Sequence, residues 1–227
     1  MTLEHWLWVL GGYLAGTFPS TYLVSRAKGA TGVIAASHRK ASEADAHIVM
    51  SERLGGGWAA LAATLDVAKG MVYPLAARRF GHLPDSWLAM AGVAVVVGHS
   101  FPFYARPMAG RGLAATAGVY LALLPVEMVI AGAIMLAGII ARTSGIASTV
   151  GFGGVPLVAW IQGQPVPFVA MGAAIFAVIL IRRLEGVGTV VEEAHVSWPR
   201  AILWRTVFDT SGQPSETREP EVKGREA

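Results

Sequence analysis

The chain lacks cysteine and carries little charge. None of its 227 residues is cysteine, 15% are Asp, Glu, Lys or Arg, and 54% are hydrophobic. The lack of cysteine excludes disulfides, thiol catalysis and cysteine-based metal sites. The low charge excludes an ordinary soluble domain, in which about a quarter of the residues are charged. Together with a mean hydropathy of +0.52, these absences indicate a membrane protein.

What the chain has instead is a series of long apolar stretches. Stretches of about 17–25 apolar residues are long enough to cross a bilayer as helices, and these lack the apolar–polar alternation of β-barrel strands. The sequence therefore predicts an all-α, polytopic membrane bundle of about seven transmembrane segments, the first being a retained helix. The segments lie near residues 4–25, 54–77, 84–104, 112–124, 126–141, 145–161 and 166–183.

The positions of the basic residues predict the orientation of this bundle. Basic residues collect on the cytoplasmic side of membrane proteins. If the N-terminus lies outside and the C-terminus in the cytoplasm, only Arg78 and Arg79 among the loop cations lie outside. The polar loop 27–53 and the loop 105–111 then share the cytoplasmic face, where distant parts of the sequence can form one site.

His99 is the first candidate for chemistry. It lies inside the predicted membrane segment 84–104, where an ionisable side chain is costly and indicates function. An imidazole is suited to proton transfer near neutral pH. The alternative is a histidine at a helix end that bonds a backbone carbonyl.

Arg111 is the second candidate, because it stands between Gly110 and Gly112 at the start of a predicted segment. Glycines allow a ligand to approach the backbone closely, helix N-termini attract anions, and a guanidinium binds phosphate through two hydrogen bonds. These residues predict a phosphate-binding turn. The alternative is an arginine that extends to the membrane surface.

Two further pairs of polar residues lie on predicted helices. Asp66 and Lys69 are three residues apart, so both lie on one helical face and are expected to pair. Pairing makes two buried charges tolerable, and a structural ion pair is one interpretation. Ser144 and Ser148 open the sixth segment, where Ser144 is placed to cap the helix.

These blocks, in this order, resemble the PlsY family, the bacterial membrane glycerol-3-phosphate acyltransferases that use acyl phosphate. Residues 98–116 are similar to Gly-His-x-Phe-Pro…Gly-Gly-Lys-Gly-x-Ala-Thr of the family, with Arg111 in place of lysine. Residues 65–74 are similar to Leu-Asp-x-x-Lys-Gly-x-x-Pro, and residues 16–23 to Gly-Ser-Ile-Pro-Phe-Gly-Tyr-Leu. Ser144 and Ser148 stand where the family has a motif with two serines.

The resemblance implies a membrane domain over residues 1–185 that transfers an acyl group from acyl phosphate to glycerol 3-phosphate, giving lysophosphatidic acid for phospholipid synthesis. A cytoplasmic tail would follow over residues 186–227, and its charged composition from about residue 211 predicts disorder. The resemblance also implies the bacterial inner membrane, contact with membrane lipids, and no metal, cofactor or nucleic acid. It assigns catalysis to His99, Ser144 and Ser148, phosphate binding to Arg53, Gly110, Arg111, Gly112 and Arg142, and support of the site to Asp66 and Lys69.

Two departures from the family pattern leave a second function open. The family run Gly-Ser-Gly-Asn-x-Gly-Ala-Thr-Asn-x-x-Arg aligns with residues 42–53, where Arg53 matches but Glu43 and Asp45 replace serine and asparagine. Carboxylates repel a phosphate. The family's final His-Arg-Glu-Asn is also missing around Arg182. These differences favour a catalytically degenerate paralogue that binds a lipid precursor or associates with another membrane protein.

A small transporter is the third hypothesis. Its support is the set of ionisable residues Asp66, Lys69 and Glu127 inside predicted segments, together with the proline between the fourth and fifth segments. Transporters use intramembrane charges and interrupted helices to build binding sites.

Overall fold

The computed structural model describes residues 2–32, 46–104, 111–185 and 187–208, and within them the regular secondary structure is helical throughout. The elements are α1 (Leu3–Gly16), α2 (Ser20–Ala27), α3 (Ala46–Leu54), α4 (Gly56–Phe80), α5 (Asp85–Ser100), α6 (Leu113–Leu123), α7 (Pro125–Ile140), α8 (Ser144–Ile161), α9 (Val166–Leu184), α10 (Val187–Ala194), α11 (Trp198–Leu203) and a π-helical turn (Trp204–Phe208). The predicted all-α class is therefore confirmed for the described residues.

Two of the described helices, α8 and α9, are long and apolar enough to cross a bilayer, and α6 and α7 are shorter apolar helices. With 11 residues, α6 is about 16 Å long at the rise of an α-helix. The next helix, α7, begins at Pro125, as expected for a residue that starts helices but interrupts them internally. The count of seven spans and the orientation of the termini stay predictions.

The first predicted segment, 4–25, is wrong as a single helix. α1 ends at Gly16 and α2 begins at Ser20, because Pro19 in the connection has no N–H to donate and interrupts the helical ladder. The predicted polar loop 27–53 is also wrong at its end, where α3 occupies Ala46–Leu54.

Close approaches of backbone hold the bundle together. A Cβ added at Gly16 would lie 2.1 Å from the carbonyl oxygen of Val95, and one at Gly98 would lie 2.0 Å from that of Tyr13, so α1 and α5 touch backbone to backbone. α4 and α6 meet in the same way, since a Cβ at Gly118 would lie 2.1 Å from the carbonyl oxygen of Val67. Small residues at contacts of this kind are typical of helix packing in membranes.

Several helix ends meet at one end of the bundle, which we call the polar end. It consists of the C-terminal ends of α1, α5 and α9 and the N-terminal ends of α6 and α8. The hydroxyl of Tyr13 donates to the carbonyl of Phe101, at 3.0 Å, across the ends of α1 and α5. The guanidinium of Arg182 lies 5.4 Å from the centre of the Phe101 ring and brings α9 to the same place.

Candidate active site

A buried ionisable cluster lies beside the polar end, formed by Asp66, Lys69 and His99. Nζ of Lys69 lies 2.7 Å from Oδ1 of Asp66, one helical turn away on α4. Nδ1 of His99, at the end of α5, lies 3.4 Å from the same oxygen. The side chains of all three are at most 9% exposed. The expected pair of Asp66 and Lys69 is therefore present, and the structure adds His99 to it.

This geometry determines which nitrogen of the His99 imidazole is free to accept a proton. A carboxylate near Nδ1 favours the tautomer with its proton on that nitrogen, which leaves Nε2 as the basic nitrogen. A carboxylate also stabilises the imidazolium that forms when Nε2 takes a proton. In this arrangement a histidine can act as a base that a carboxylate orients, and the ammonium of Lys69 lies against the same carboxylate.

The break between α1 and α2 is tied to this cluster. Nζ of Lys69 donates to the carbonyl oxygen of Phe18 at 2.8 Å, and the hydroxyl of Tyr104 donates to the carbonyl of Thr17. Both carbonyls lie where α1 has ended, so neither oxygen accepts the i+4 hydrogen bond of a helix, and that of Phe18 also accepts from the backbone N–H of Ser20 at 3.0 Å. Sequence reasoning missed this contact, although residues 16–23 were singled out as one of the family-like blocks.

The turn before α6 lies against the end of α5. Gly112 has φ of +90°, which favours glycine, and a Cβ added there would lie 2.9 Å from Oγ of the fully buried Ser100. Arg111 precedes it and is partly exposed. The turn is therefore shaped so that only a residue without a side chain fits beside α5. Gly110 lies outside the described residues.

The two serines of α8 have different environments. Ser144 is the first residue of the helix and is exposed, whereas Ser148 is buried. The expectation that Ser144 caps α8 is wrong, because Thr143 occupies the cap position and its side chain makes no capping hydrogen bond. Oγ of Ser148 donates to the carbonyl of Gly145 at 2.8 Å and accepts from Nη2 of Arg183 at 2.6 Å.

The remaining predicted phosphate ligands lie at the surface. Arg53 is exposed in the last turn of α3. Arg142 is exposed between α7 and α8, with φ of +58°. Both are open to an anion from solvent, but neither is brought to the Asp66 cluster by a contact that the structure defines. Glu43 and Asp45 lie outside the described residues.

Ionisable residues that favoured a transporter have partners inside the protein. Asp66 and Lys69 pair with each other. Oε1 of Glu127, in the first turn of α7, accepts a hydrogen bond of 2.9 Å from Nε2 of Gln164. In the part of the chain that the structure describes, no group of three or more His, Asp or Glu side chains is arranged to hold a metal ion.

Comparison with known proteins assigns the chain to a family. A family model described as "Glycerol-3-phosphate acyltransferase" matches residues 6–192. The chain belongs to this family. The family match ends at residue 192, before α11 and the π-helical turn.

Three relatives named glycerol-3-phosphate acyltransferase illustrate the similarity. The protein of Pseudomonas entomophila is 33% identical over 158 residues, which are 68% of this chain and 80% of that protein. That of Rubrobacter xylanophilus is 33% identical over 182 residues, 79% of this chain and 87% of that protein. That of Halalkalibacterium halodurans is 32% identical over 137 residues, 60% of this chain, and the match spans 64% of its length.

Solved structures show the same fold. Two crystal structures of PlsY, described as an integral membrane glycerol 3-phosphate acyltransferase, match with TM-scores of 0.68 and 0.70. They are 24% identical to this chain and cover 83% of it and 92% of their own chains. One is the lysophosphatidic acid form and the other the glycerol 3-phosphate form. This chain therefore has the fold of an integral membrane protein.

Proposed function

We propose that this chain is a membrane glycerol-3-phosphate acyltransferase that takes its acyl group from acyl phosphate. The 1-hydroxyl of glycerol 3-phosphate would attack the acyl carbonyl, the bond from that carbon to the phosphate oxygen would break, and lysophosphatidic acid and phosphate would leave. The observation that carries the proposal is the buried contact between His99 and Asp66, in a chain whose residues 6–192 match the acyltransferase family.

His99 is the base in this reaction. Its Nε2 takes the proton of the attacking hydroxyl, and the imidazolium then returns the proton to the departing phosphate. Asp66 holds the ring through Nδ1 and stabilises the imidazolium. Lys69 pairs with the buried carboxylate and joins it to the α1–α2 connection through the carbonyl of Phe18.

Arg111, Arg142 and Arg53 bind the phosphate groups of the two substrates. Arg111 precedes Gly112 and the N-terminus of α6, and Arg142 stands just before the N-terminus of α8. Helix N-termini carry partial positive charge and backbone N–H groups that suit phosphate. Guanidinium groups add charge-assisted hydrogen bonds. Ser144, exposed on the first turn of α8, contributes a hydroxyl at the same helix end.

The same proposal includes the cellular arrangement. The chain is a multi-pass protein of the bacterial inner membrane with seven spans and its N-terminus outside. The site then opens to the cytoplasm, where glycerol 3-phosphate is soluble, and the acyl chain lies among the apolar helices. The distribution of basic residues supports this orientation.

The test is acyl transfer by purified protein in lipid, from acyl phosphate to labelled glycerol 3-phosphate. His99→Asn removes the base but keeps a polar side chain beside Asp66. His82→Asn is the matched control, because His82 is exposed and its φ of +46° is tolerated by asparagine. Turnover by the wild type that falls at least 100-fold in His99→Asn and persists in His82→Asn supports the proposal. Folded wild-type protein without turnover would refute it.

The second candidate function is a degenerate paralogue that binds a lipid precursor. Its specific support is Glu43 and Asp45 in the stretch where the family carries serine and asparagine. Two carboxylates there oppose a dianionic substrate. This candidate predicts binding of lysophosphatidic acid or glycerol 3-phosphate by wild-type protein that shows no turnover in the same assay.

A further inference from the structure

Two buried arginines join the C-terminal segment to the bundle. Arg183, in the last turn of α9, is 0% exposed, and Arg205, in the π-helical turn, is 2% exposed. Both lie outside the Asp66 cluster. Burying a guanidinium costs free energy unless its N–H groups donate hydrogen bonds. Two buried arginines in contact therefore need hydrogen-bond acceptors that the surrounding elements provide.

Arg205 bonds the end of α9. Its Nε donates to the carbonyl oxygen of Arg183 at 2.9 Å, and its Nη2 donates to the carbonyl oxygen of Glu185 at 2.6 Å. The last carbonyls of a helix have no partner within the helix, and a cation is favourable at that end. Arg205 therefore serves as a cap for α9 that is supplied by a segment twenty residues further along the chain.

Arg183 in turn bonds the first turns of α8. Its Nη2 donates to Oγ of Ser148 at 2.6 Å, and its Nη1 donates to Oγ1 of Thr149 at 2.6 Å and to the carbonyl oxygen of Thr206 at 2.9 Å. Oγ1 of Thr149 also lies 3.1 Å from the carbonyl oxygens of Thr206 and Val207. The start of α8, the end of α9 and the π-helical turn thus form one network of hydrogen bonds.

This network fixes the helix end that faces the polar end of the bundle. Ser144 is the first residue of α8, about one helical turn from Ser148, and Arg142 lies two residues before it. Arg182, beside Arg183, lies over Phe101 at the end of α5. A shift of α8 relative to α9 would therefore move the N-terminus of α8, with its serine and arginine, away from the site.

We infer that Arg205 is a positioning residue for substrate phosphate binding: through Arg183 it locks the N-terminus of α8 in the place where it meets glycerol 3-phosphate. The inference rests on the proposed function, since it assigns that helix end to the phosphate of the acceptor. Arg205 lies beyond residue 192, where the family match ends. The C-terminal segment is therefore a part of the site that this chain supplies in addition to the matched region.

The kinetic test compares Arg205→Ala with Arg200→Ala, an exposed arginine of the same segment. We expect Arg205→Ala to raise KM for glycerol 3-phosphate about tenfold with a smaller change in kcat, because the binding turn is displaced while His99 is left in place. Arg205→Lys should lie between, since one ammonium cannot bond both carbonyls as the guanidinium fork does. Arg200→Ala should match the wild type. Unchanged KM in Arg205→Ala would overturn the inference.

A second measurement tests whether the C-terminal segment packs on the bundle, independently of activity. Because the chain has no cysteine, an introduced cysteine is its only thiol. Ala201 is fully buried and Arg200 is exposed. Ala201→Cys should react slowly with a maleimide in the otherwise wild-type chain and quickly when Arg205→Ala is added, whereas Arg200→Cys should react quickly in both. Protection at 201 that survives Arg205→Ala would overturn the role of Arg205 in docking.

Failure of the proposed function is recognised from the wild type. If the wild type binds labelled glycerol 3-phosphate without acyl transfer, the proposed enzyme activity is wrong. In that case weaker binding by Arg205→Ala would still support the role of Arg205, and equal binding would overturn it. If the wild type does not bind glycerol 3-phosphate, both the proposed function and the role of Arg205 are wrong.

A second variant serves if Arg205→Ala fails to fold. Thr149→Val removes the hydroxyl that accepts a hydrogen bond from Arg183, with little change in volume. Unchanged KM in that variant would overturn the inference.

Discussion

The carboxylate of Asp66 on α4 lies 3.4 Å from the imidazole of His99 on α5. Thirty-three residues separate the two in sequence, and both are buried. The same carboxylate oxygen contacts Lys69 at 2.7 Å. Asp66 therefore has two roles: it pairs with Lys69 one helical turn away, and it contacts His99, the candidate base.

Asp66→Asn tests whether the negative charge of this side chain, rather than its size, is needed for acyl transfer. Asparagine keeps the size of the side chain but removes the negative charge that orients and stabilises the imidazolium, so we expect kcat/KM for acyl transfer to fall about 100-fold. Asp85→Asn makes the same chemical change on an exposed residue at the start of α5 and should leave the rate unchanged. Asp66→Asn with more than half of the wild-type rate would remove Asp66 from the mechanism.

Adding Lys69→Met to Asp66→Asn should restore stability without restoring activity. Asp66→Asn alone leaves the largely buried ammonium of Lys69 without its carboxylate, and breaking a buried pair in this way costs about 3 kcal/mol. Replacing both partners removes that cost, so the double variant should melt at a higher temperature in detergent than the single one. His99 still lacks its carboxylate, and turnover should stay low. Recovery of turnover together with the melting temperature would mean that Asp66 acts only as scaffold.

Gly118→Ala should destabilise the bundle because α4 and α6 touch at this residue. The new Cβ would lie 2.1 Å from the carbonyl oxygen of Val67, so the helices must separate and lose packing. Gly154→Ala on α8 is the control, since nothing lies within 4 Å of its Cβ position, and alanine is the better helix former. We expect a lower melting temperature for Gly118→Ala and an equal or higher one for Gly154→Ala. Equal melting of the two would contradict the close contact.

The sequence predicted the helices better than their contacts. Apolar length and Pro125 located α6, α7, α8 and α9, because those signals are local. Apolar length, which predicts the stretch 4–25 as one segment, does not reveal the break at Pro19. Helix spacing predicted the pair of Asp66 and Lys69 for the same local reason.

The tertiary contacts of the site could not be derived in that way. No spacing rule brings His99 to Asp66, since the contact depends on how α4 and α5 pack. No spacing rule pairs Arg183 with Ser148 either, although Arg183 is buried against this serine, 35 residues away in sequence. The partners of a charged residue at a helix end come from other elements, so the sequence alone does not identify them.

Ser144→Ala and Ser148→Ala should have different effects, although both serines were predicted to act in catalysis. Ser148 accepts a hydrogen bond from the buried Arg183, and its loss leaves a charged donor unsatisfied at a cost of about 1–3 kcal/mol. Ser148→Ala should therefore lower the melting temperature. Ser144 is exposed, so Ser144→Ala should leave melting unchanged and lower kcat/KM about tenfold through lost substrate contact. Unchanged kcat/KM in Ser144→Ala would exclude Ser144 from the site.

Arg111→Lys should retain turnover, whereas Arg111→Ala should lose phosphate binding. The family pattern has lysine where this chain has Arg111, and either cation, placed beside the N-terminus of α6, attracts a phosphate. Lysine acts as a point charge and arginine as a two-pronged donor, so Arg111→Lys should change KM less than Arg111→Ala, which should raise it more than tenfold. Arg79→Ala in the last turn of α4 removes an exposed cation that lies away from the α6 turn and should have no effect. If Arg111→Ala behaves like Arg79→Ala, phosphate binding belongs to other cations, and Arg142 and Arg53 become the residues to substitute next.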